Sequence, residues 1–178
     1  MNHPGISGTA GGGDPTASAA NLANATAAAA AQGQYLTFAL AGEQFAIPIL
    51  AVQEIRGWET VSRTPRAPPY VLGVMNLRGA IIPILDLRSR LGMPACDRSP
   101  TSVVIVVQVD TASAAAVTVG CLVDAVSDVV SLTAESASAP PSACGSVDVH
   151  FLAGVVTVEQ QLVMLLDVVR LVETSVSV

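Results

Sequence analysis

The side chains that could carry catalysis or bind a metal are few in this chain and lie far apart. Its histidines are His3 and His150, and its cysteines are Cys96, Cys121 and Cys144. A Ser–His–Asp site needs a histidine beside a nucleophile, and a structural zinc site needs closely spaced thiolate or imidazole ligands. His3 lies in the N-terminal segment and His150 beside the last predicted strand, so neither kind of site is predicted. An odd number of cysteines without a C-x-x-C pair predicts free thiols in a reducing compartment.

Carboxylates and glycines give no better candidate for chemistry. Asp124 and Asp128 are one helical turn apart in the sequence, which is more typical of a solvated face than of an acid–base pair in a cleft. The run Gly11–Gly13 lacks the Lys and Ser/Thr that follow the glycines of a phosphate-binding loop. We therefore predict a protein that is not an enzyme and holds no metal or cofactor.

Charge composition excludes whole classes of partner. The 178 residues include 8 Lys+Arg and 14 Asp+Glu, for a formal net charge of −6, and there is no lysine. Nucleic acids and anionic membranes bind clustered basic residues, whereas the arginines here are scattered along the chain. No stretch is long and apolar enough to cross a bilayer, and no basic segment opens a signal peptide. We predict a cytoplasmic protein that binds neither nucleic acid nor membrane.

The predicted strands and turns that would position any site occur in an internal sequence repeat. Residues 73–87 are echoed 81 positions later by residues 154–168, and both read as strand, polar turn and strand closing on an aspartate. A second echo, at a spacing of 74, relates residues 45–55 to residues 119–129. Short strands with glycine and proline turns predict an all-β protein of barrel type. The chain is therefore predicted to be one β module duplicated, with two barrels of about five strands each.

The duplicated part begins after a long polar segment. Residues 1–33 are rich in Gly, Ala, Ser and Thr and lack apolar periodicity, which predicts a disordered tail. The domain is predicted over residues 34–174. Within it, the first barrel is expected over about 34–92 and the second over about 101–172.

One connecting segment has a helical pattern. Ile49 to Arg56 carries apolar residues at helical spacing and stops at Gly57, which predicts a short helix with a glycine cap. Pro48, just before it, must lie at a sheet edge or a strand end because proline cannot donate to the ladder.

The two copies differ where charges matter. The first copy carries Glu54 in the segment after Pro48 and Arg78 in its hairpin turn, which are opposite charges. The second copy has Asp128 and Glu159 at the matching positions, and both are acidic. If the copies share a fold, an ion pair is available only in the first. It would fix a polar element on a docking surface, although two separately solvated charges are the alternative.

Three sequence segments resemble those of a known family. Residues 52–56 read VQEIR, residues 68–74 read PPYVLGV after Pro65, and residues 76–88 read NLRGAIIPILDLR. Together they resemble the CheW-like domain family of bacterial chemotaxis coupling proteins, and the similarity runs from about Gln34 to Val172. The second half matches more loosely.

The resemblance implies two five-stranded, SH3-like barrels packed side by side, with short connecting helices and a shared apolar seam. Proteins of this family join the histidine kinase CheA, through its regulatory domain, to the cytoplasmic tip of chemoreceptors. The receptor tip would occupy a groove near Val52 and Val103, and the kinase would meet the barrel end near Leu77, Arg78 and Gly79. Partner contacts are thereby implied for Val52, Glu54, Ile55, Leu77, Arg78, Gly79 and Val103.

The residues are compatible with other functions as well. The chain could be a homologue that serves twitching motility or second-messenger control, a CheV-like adaptor, or the detached regulatory end of a kinase. A CheV-like protein with a fused receiver would need roughly another 120 residues, so that version is not expected for these 178 residues. A β-barrel carrier of a small ligand would need a hollow interior with a few convergent polar groups, whereas Val, Ile and Leu strands predict filled barrels.

Overall fold

The structure, a computed structural model, describes residues 33–111, 114–142 and 144–176, and within them the chain forms eleven strands and two short α-helices. The strands are β1 (Gly33–Leu40), β2 (Glu43–Pro48), β3 (Val52–Gly57), β4 (Val71–Leu77), β5 (Ala80–Asp86), β6 (Val103–Thr111), β7 (Ala114–Val123), β8 (Ala125–Leu132), β9 (Ala137–Ser138), β10 (Leu152–Val158) and β11 (Gln161–Leu166). The helices α1 (Leu87–Arg90) and α2 (Val168–Val176) follow β5 and β11. The predicted all-β class is confirmed. The tail predicted over residues 1–33 lies outside the described residues except for Gly33, which opens β1.

The strands form two sheets, and each sheet draws strands from both halves of the chain. One sheet has the order β3-β6-β7-β5-β4, and the other has the order β8-β1-β2-β11-β10-β9. The boundaries predicted for the barrels, 34–92 and 101–172, therefore do not coincide with the sheets. The sequence places β1 and β2 with the first half, but they pair with strands of the second half because hydrogen bonding across a sheet is not limited to neighbours in sequence.

The two barrels differ in their content of charged residues. The barrel of β3 to β7, residues 52–123, contains seven arginines and five acidic residues, and we call it the arginine-rich barrel. The barrel of β1, β2 and β8 to β11 contains one arginine and eight acidic residues among the described residues 33–51 and 124–176, and we call it the acidic barrel. The net negative charge of the chain is thus confined almost entirely to one barrel.

The strand register confirms the duplication. In the arginine-rich barrel, β5 and β7 pair in parallel with Ile84 opposite Gly120. In the acidic barrel, β11 and β2 pair in parallel with Leu165 opposite Ala46. The two pairs are related by the spacings of 81 and 74 seen in the sequence. The second barrel therefore repeats the first, residue for residue, at its central parallel contact.

One apolar core runs through both barrels. Phe38 and Phe45 of the acidic barrel and Leu85 and Ile105 of the arginine-rich barrel belong to the same cluster and are fully buried. Phe38 pairs with Phe45 across the β1–β2 ladder, and their rings stack with centroids 6.1 Å apart. Burial of such large side chains from both sheets in one cluster makes the two barrels a single packing unit.

The helix predicted over Ile49–Arg56 is wrong. The segment forms one 3₁₀ turn over Ile49–Ala51 and then the strand β3, whose side chains alternate between half-buried and exposed. A register shift between Val52 and Glu54 interrupts the β3–β6 ladder. The turn and the shift together space the apolar residues as a helix would, and the pairing with β6 decides the structure. Pro48 lies at the end of β2, as predicted.

Both helices begin at an aspartate that closes a hairpin. The Asp86 side chain accepts hydrogen bonds from the backbone N–H groups of Arg88 and Ser89. At the equivalent position of the second copy, Asp167 accepts one from the N–H of Arg170. These caps satisfy donors that the first turn of a helix leaves free. In the segments that the structure describes, no helix is long and apolar enough to span a membrane.

Candidate functional site

Glu54 and Arg78 meet at the edge of the arginine-rich barrel. Arg78 Nη2 lies 3.2 Å from Glu54 Oε2. Glu54 lies on β3 at the register shift, and Arg78 lies in the turn between β4 and β5. A shallow pocket of about 160 Å³ runs beside the pair and is lined also by Gln53 and Leu77. The ion pair inferred from the unequal copies is therefore present.

The turn that presents Arg78 has an unusual backbone for an arginine. Arg78 and Gly79 have φ values of 51° and 90°, and they are the two-residue loop between Leu77 and Ala80. Positive φ at both loop positions is the requirement of a type I′ hairpin turn, which favours Asn and Gly. The Asn76 side chain braces the turn by accepting a hydrogen bond of 2.9 Å from the Gly79 N–H. The guanidinium is thus held out from the sheet on a short, stiff loop.

The ion pair does little for stability, and its exposure is the informative feature. The Arg78 side chain is 82% exposed and that of Glu54 25% exposed. Ion pairs at such exposure contribute roughly 0.2–1 kcal/mol, since water screens them and two long side chains must be ordered. Among the described residues, Glu54 is the one hydrogen-bond partner of Arg78, so most of its guanidinium donors face solvent. The arrangement orients a cation and leaves it free to bind.

The second copy has the same backbone with different chemistry. Glu159 and Gln160 have φ values of 49° and 66° in the turn between β10 and β11, as Arg78 and Gly79 do between β4 and β5. Asp128 on β8 matches Glu54. Because Asp128 and Glu159 are both acidic, they cannot form the ion pair that joins Glu54 to Arg78. The two barrels therefore share a scaffold but differ in charge at this edge.

The structure brings some of the other predicted residues together and separates others. Leu77 and Gly79 flank Arg78, and Ile55 is 45% exposed on β3. Val52 pairs with Val107, whereas Val103 pairs with Gly57 at the other end of the β3–β6 ladder. Val52 and Val103 thus lie roughly 14 Å apart along the strands. Both are half-buried against the shared core, so each also has a packing role.

Sequence reasoning missed a set of exposed apolar side chains. Ile81 and Leu162 occupy equivalent positions of the two copies and are 63% and 55% exposed. Leu50 is 95% exposed in the 3₁₀ turn after β2, and Val169 is 38% exposed on α2. A comparison of the copies at the repeat spacings would have found the last two. Leu50 matches Asp124, and Val169 matches Arg88.

Those matching residues of the other copy form an ion pair that ties the barrels together. Arg88 on α1 donates from Nε to both carboxylate oxygens of Asp124, at 2.9 and 3.1 Å, and its Nη2 also contacts Asp124 Oδ2. The same carboxylate accepts a hydrogen bond of 2.7 Å from the N–H of Ala41, in the β1–β2 turn of the acidic barrel. Hydrogen bonding to Asp124 raises the pKa of Arg88, which stays charged. Asp124 is therefore a bridge between α1 and the neighbouring hairpin.

A second arginine lies inside the seam. The Arg90 guanidinium carbon lies 4.5 Å from the ring centroid of Tyr70 and 4.4 Å from that of Phe151. Tyr70 and Phe151 are equivalent residues of the two copies, and each accepts, through its carbonyl, a backbone hydrogen bond from the aspartate that caps the following helix. Arg90 Nε and Nη2 are buried without a hydrogen-bond acceptor among the described residues. Packing between two aromatic rings holds the cation there.

Comparison with known proteins gives one consistent family. The family model described as CheW-like domain matches residues 34–176. A probable chemotaxis protein CheW of Rhizobium etli is 37% identical over 134 residues, which cover 75% of this chain and 83% of that protein. The chemotaxis protein CheW of Klebsiella aerogenes is 36% identical over 142 residues, covering 80% of this chain and 82% of that protein.

A solved structure agrees with the sequence matches. The scaffolding protein TtCheW from Thermoanaerobacter tengcongensis superposes with a TM-score of 0.69 at 27% sequence identity. The superposition covers 79% of this chain and 87% of that one. The two-barrel architecture is therefore shared with a protein described as a scaffolding protein.

Proposed function

The chain belongs to the CheW-like domain family, and from this we propose that it is a non-enzymatic adaptor coupling chemoreceptors to the histidine kinase CheA on the cytoplasmic side of a chemosensory array. Its relatives are named as chemotaxis proteins, and the similar solved structure is described as a scaffolding protein. An adaptor needs at least two contact surfaces on a rigid body. The shared core supplies the rigidity, and the exposed residues described above supply candidate surfaces.

The observation that carries the proposal is the Glu54–Arg78 pair. It is present in one copy of the module, lies on a stiff turn and contributes little to stability at its exposure. An exposed arginine beside an apolar side chain is characteristic of protein–protein contacts. Arg78 with Leu77 and Gly79 is therefore our proposed contact for the regulatory domain of the kinase.

The receptor surface is proposed on the β3–β6 pair. Ile55 is exposed there, and Val52 and Val103 are half-buried at the two ends of the ladder. A helical receptor tip that lies along the ladder would cover the roughly 14 Å between the two valines with about nine residues of helix. The exposed Ile55 would then become buried between them.

A carrier of small ligands is disfavoured by the interior. The largest fully buried side chains include Phe38, Phe45, Leu40 and Ile105, and they fill the space that a ligand would need. The pocket beside Glu54 and Arg78 lies at the surface. The small-ligand alternative therefore lacks the hollow barrel that it requires.

The test is a quantitative pull-down with two baits, the regulatory domain of the kinase and a receptor signalling tip. Wild type should be retained by both. Arg78→Ala should lose kinase binding by about tenfold or more, since exposed arginines at interface centres are frequent hot spots. Val52→Asp should weaken receptor binding instead. A double variant that exchanges the two charges, Glu54→Arg with Arg78→Glu, should recover the part of kinase binding that depends on the ion pair itself.

A matched control is available on the other barrel. Arg170 of α2 and Asp167, just before that helix, form an ion pair of the same length, 3.2 Å. Arg170→Ala should leave both interactions unchanged. Failure of wild type to bind either bait would overturn the adaptor function. Normal binding by Arg78→Ala and Val52→Asp would leave the adaptor function in place and overturn the assignment of the two surfaces.

A further inference from the structure

A cleft on the arginine-rich barrel has no role in the function proposed above. It lies between the loop from β3 to β4 and the segment before β6, and its volume is about 450 Å³. Its walls are both apolar and basic, and they include Trp58, Arg63, Pro68, Leu72 and Arg98. This volume lies within the range of about 300–1,000 Å³ that is typical of ligand-binding clefts. The cleft is open to solvent, so a segment of a longer chain can enter it.

Neither arginine of the cleft forms an ion pair with a described residue. Arg98 lies over the Trp58 ring, with its guanidinium carbon 4.2 Å from the centroid. Arg63 makes no hydrogen bond or ion pair with any described residue, and none of the lining residues is acidic. Arg66, at the tip of the Thr64–Ala67 turn beside the cleft, has a φ of 62°. Glycine or asparagine would adopt that backbone with less strain, so the arginine is held at a cost.

The distribution of charge over the molecule indicates the ligand. Arginines that the sequence presents as scattered are gathered in one barrel, while the chain as a whole carries a net charge of −6. Unpaired cations retained in an acidic protein raise the local concentration of anionic partners and repel other basic ones. Guanidinium groups bind carboxylates through paired N–H donors. The charge complement of this cleft is therefore an acidic polypeptide.

We propose that the cleft binds an extended acidic segment of a partner protein. Arg63 and Arg98 bind two carboxylates, and an apolar side chain between them packs on Trp58, Pro68 and Leu72. Contact with the Trp58 ring restricts the Arg98 guanidinium, which lowers the entropy lost when a carboxylate binds. This site is separate from the Glu54–Arg78 edge, and its existence does not depend on the adaptor function.

The chain contains its own reporter for this site, because Trp58 is the only tryptophan. The probe is a blocked peptide of sequence Asp-Glu-Asp-Leu-Glu-Asp-Glu, titrated into the full-length protein at low salt. The expected result is a saturable change in tryptophan fluorescence, with an affinity that falls steeply between 50 and 500 mM NaCl, at roughly the ionic strengths where exposed charges are screened. The matching peptide with Asn and Gln in place of the acids should not bind.

Variants locate the binding within the cleft. Arg63→Gln or Arg98→Gln should each weaken binding by about fivefold, and the double variant by ~25-fold, as measured by the anisotropy of a labelled peptide. Arg170→Gln removes a surface arginine of the other barrel and should bind as wild type does. Equal binding of the neutral peptide, or unchanged binding by the double variant, would overturn the proposal. The proposal would also be overturned if inorganic phosphate, at the same total concentration of negative charge, displaced the labelled peptide. Self-association of the protein that fills the cleft in the absence of peptide would overturn it as well.

Discussion

The bridge between Arg88 and Asp124 can be tested with residues that the chain itself supplies. At the equivalent positions of the other copy, the repeat places Val169 for the arginine and Leu50 for the aspartate. Replacing one residue of the pair leaves a half-buried charge without its partner. Replacing both residues gives this site the apolar pair that the other repeat already has at the equivalent positions. The perturbations are Arg88→Val, Asp124→Leu and the two together.

The size of the effect follows from the exposure of the pair. The side chains of Arg88 and Asp124 are 16% and 30% exposed. Breaking a fully buried pair costs about 3–5 kcal/mol, and breaking an exposed one about 0.2–1 kcal/mol. At intermediate exposure we expect each single substitution to lower the free energy of unfolding by about 2 kcal/mol. Asp124→Leu also removes the acceptor for the Ala41 N–H, which is exposed and can bind water instead.

The double variant should lie within about 1 kcal/mol of wild type, because neither charge is left unpaired. Urea unfolding monitored by circular dichroism gives all three values, provided that the m-value stays constant. Arg170→Val, which breaks the more exposed pair with Asp167, should cost under about 1 kcal/mol and serves as the control. If the double variant loses the sum of the two single losses, the two residues do not act as a pair and the reasoning is refuted.

Three further predictions concern the core and the seam. Gly120→Ala would place a Cβ 2.4 Å from the Ile84 Cδ1 atom, so it should cost about 1–3 kcal/mol in urea unfolding, and adding Ile84→Val should recover part of that cost; a purely additive double variant would contradict the clash. Burial raises the pKa of the Cys121 thiol to about 12; the unfolded chain therefore loses this proton first above about pH 9, and stability should fall by up to about 1.4 kcal/mol per pH unit from there towards pH 12. Cys121→Val should remove that alkaline loss, while a thiol reagent at pH 8 should label the exposed Cys96 and spare Cys121. Arg90→Met keeps an apolar stem between the two rings and removes the unpaired N–H groups, so it should cost under about 1 kcal/mol, against about 2 kcal/mol for Arg90→Ala; equal losses would show that the charge itself holds the seam.

Local features of this fold were predictable from the sequence. The hairpins β4–β5 and β10–β11 occur at the predicted spacing of 81, because strand, turn and strand are determined by residues next to one another. The Glu54–Arg78 pair was found by comparing the copies. The same comparison, carried to Leu50 and Val169, would have shown the exposed apolar residues that were missed.

Non-local features were not predictable in the same way. Which half supplies the partner of β1 depends on pairing between residues far apart, such as Leu36 with Val129, and composition carries no signal for it. The helix predicted over Ile49–Arg56 was wrong for a related reason. Its periodicity suits a helix, but the segment gains more by completing a sheet with β6. The clustering of arginines around the Trp58 cleft likewise arises only when distant loops meet.

The exchange of strands between halves has a consequence for how the molecule is made. On the ribosome, β1 and β2 emerge before the other described strands, yet their partners β8 and β11 are synthesised after the whole arginine-rich barrel. The acidic barrel cannot close until nearly the whole chain has left the tunnel, and its first hairpin must wait exposed while the other barrel is completed. A nascent chain stalled after β7 holds every strand of the arginine-rich barrel and only the orphan hairpin of its neighbour. The arginine-rich barrel is thus encoded by one continuous segment, whereas the acidic barrel is assembled from the two segments that flank it.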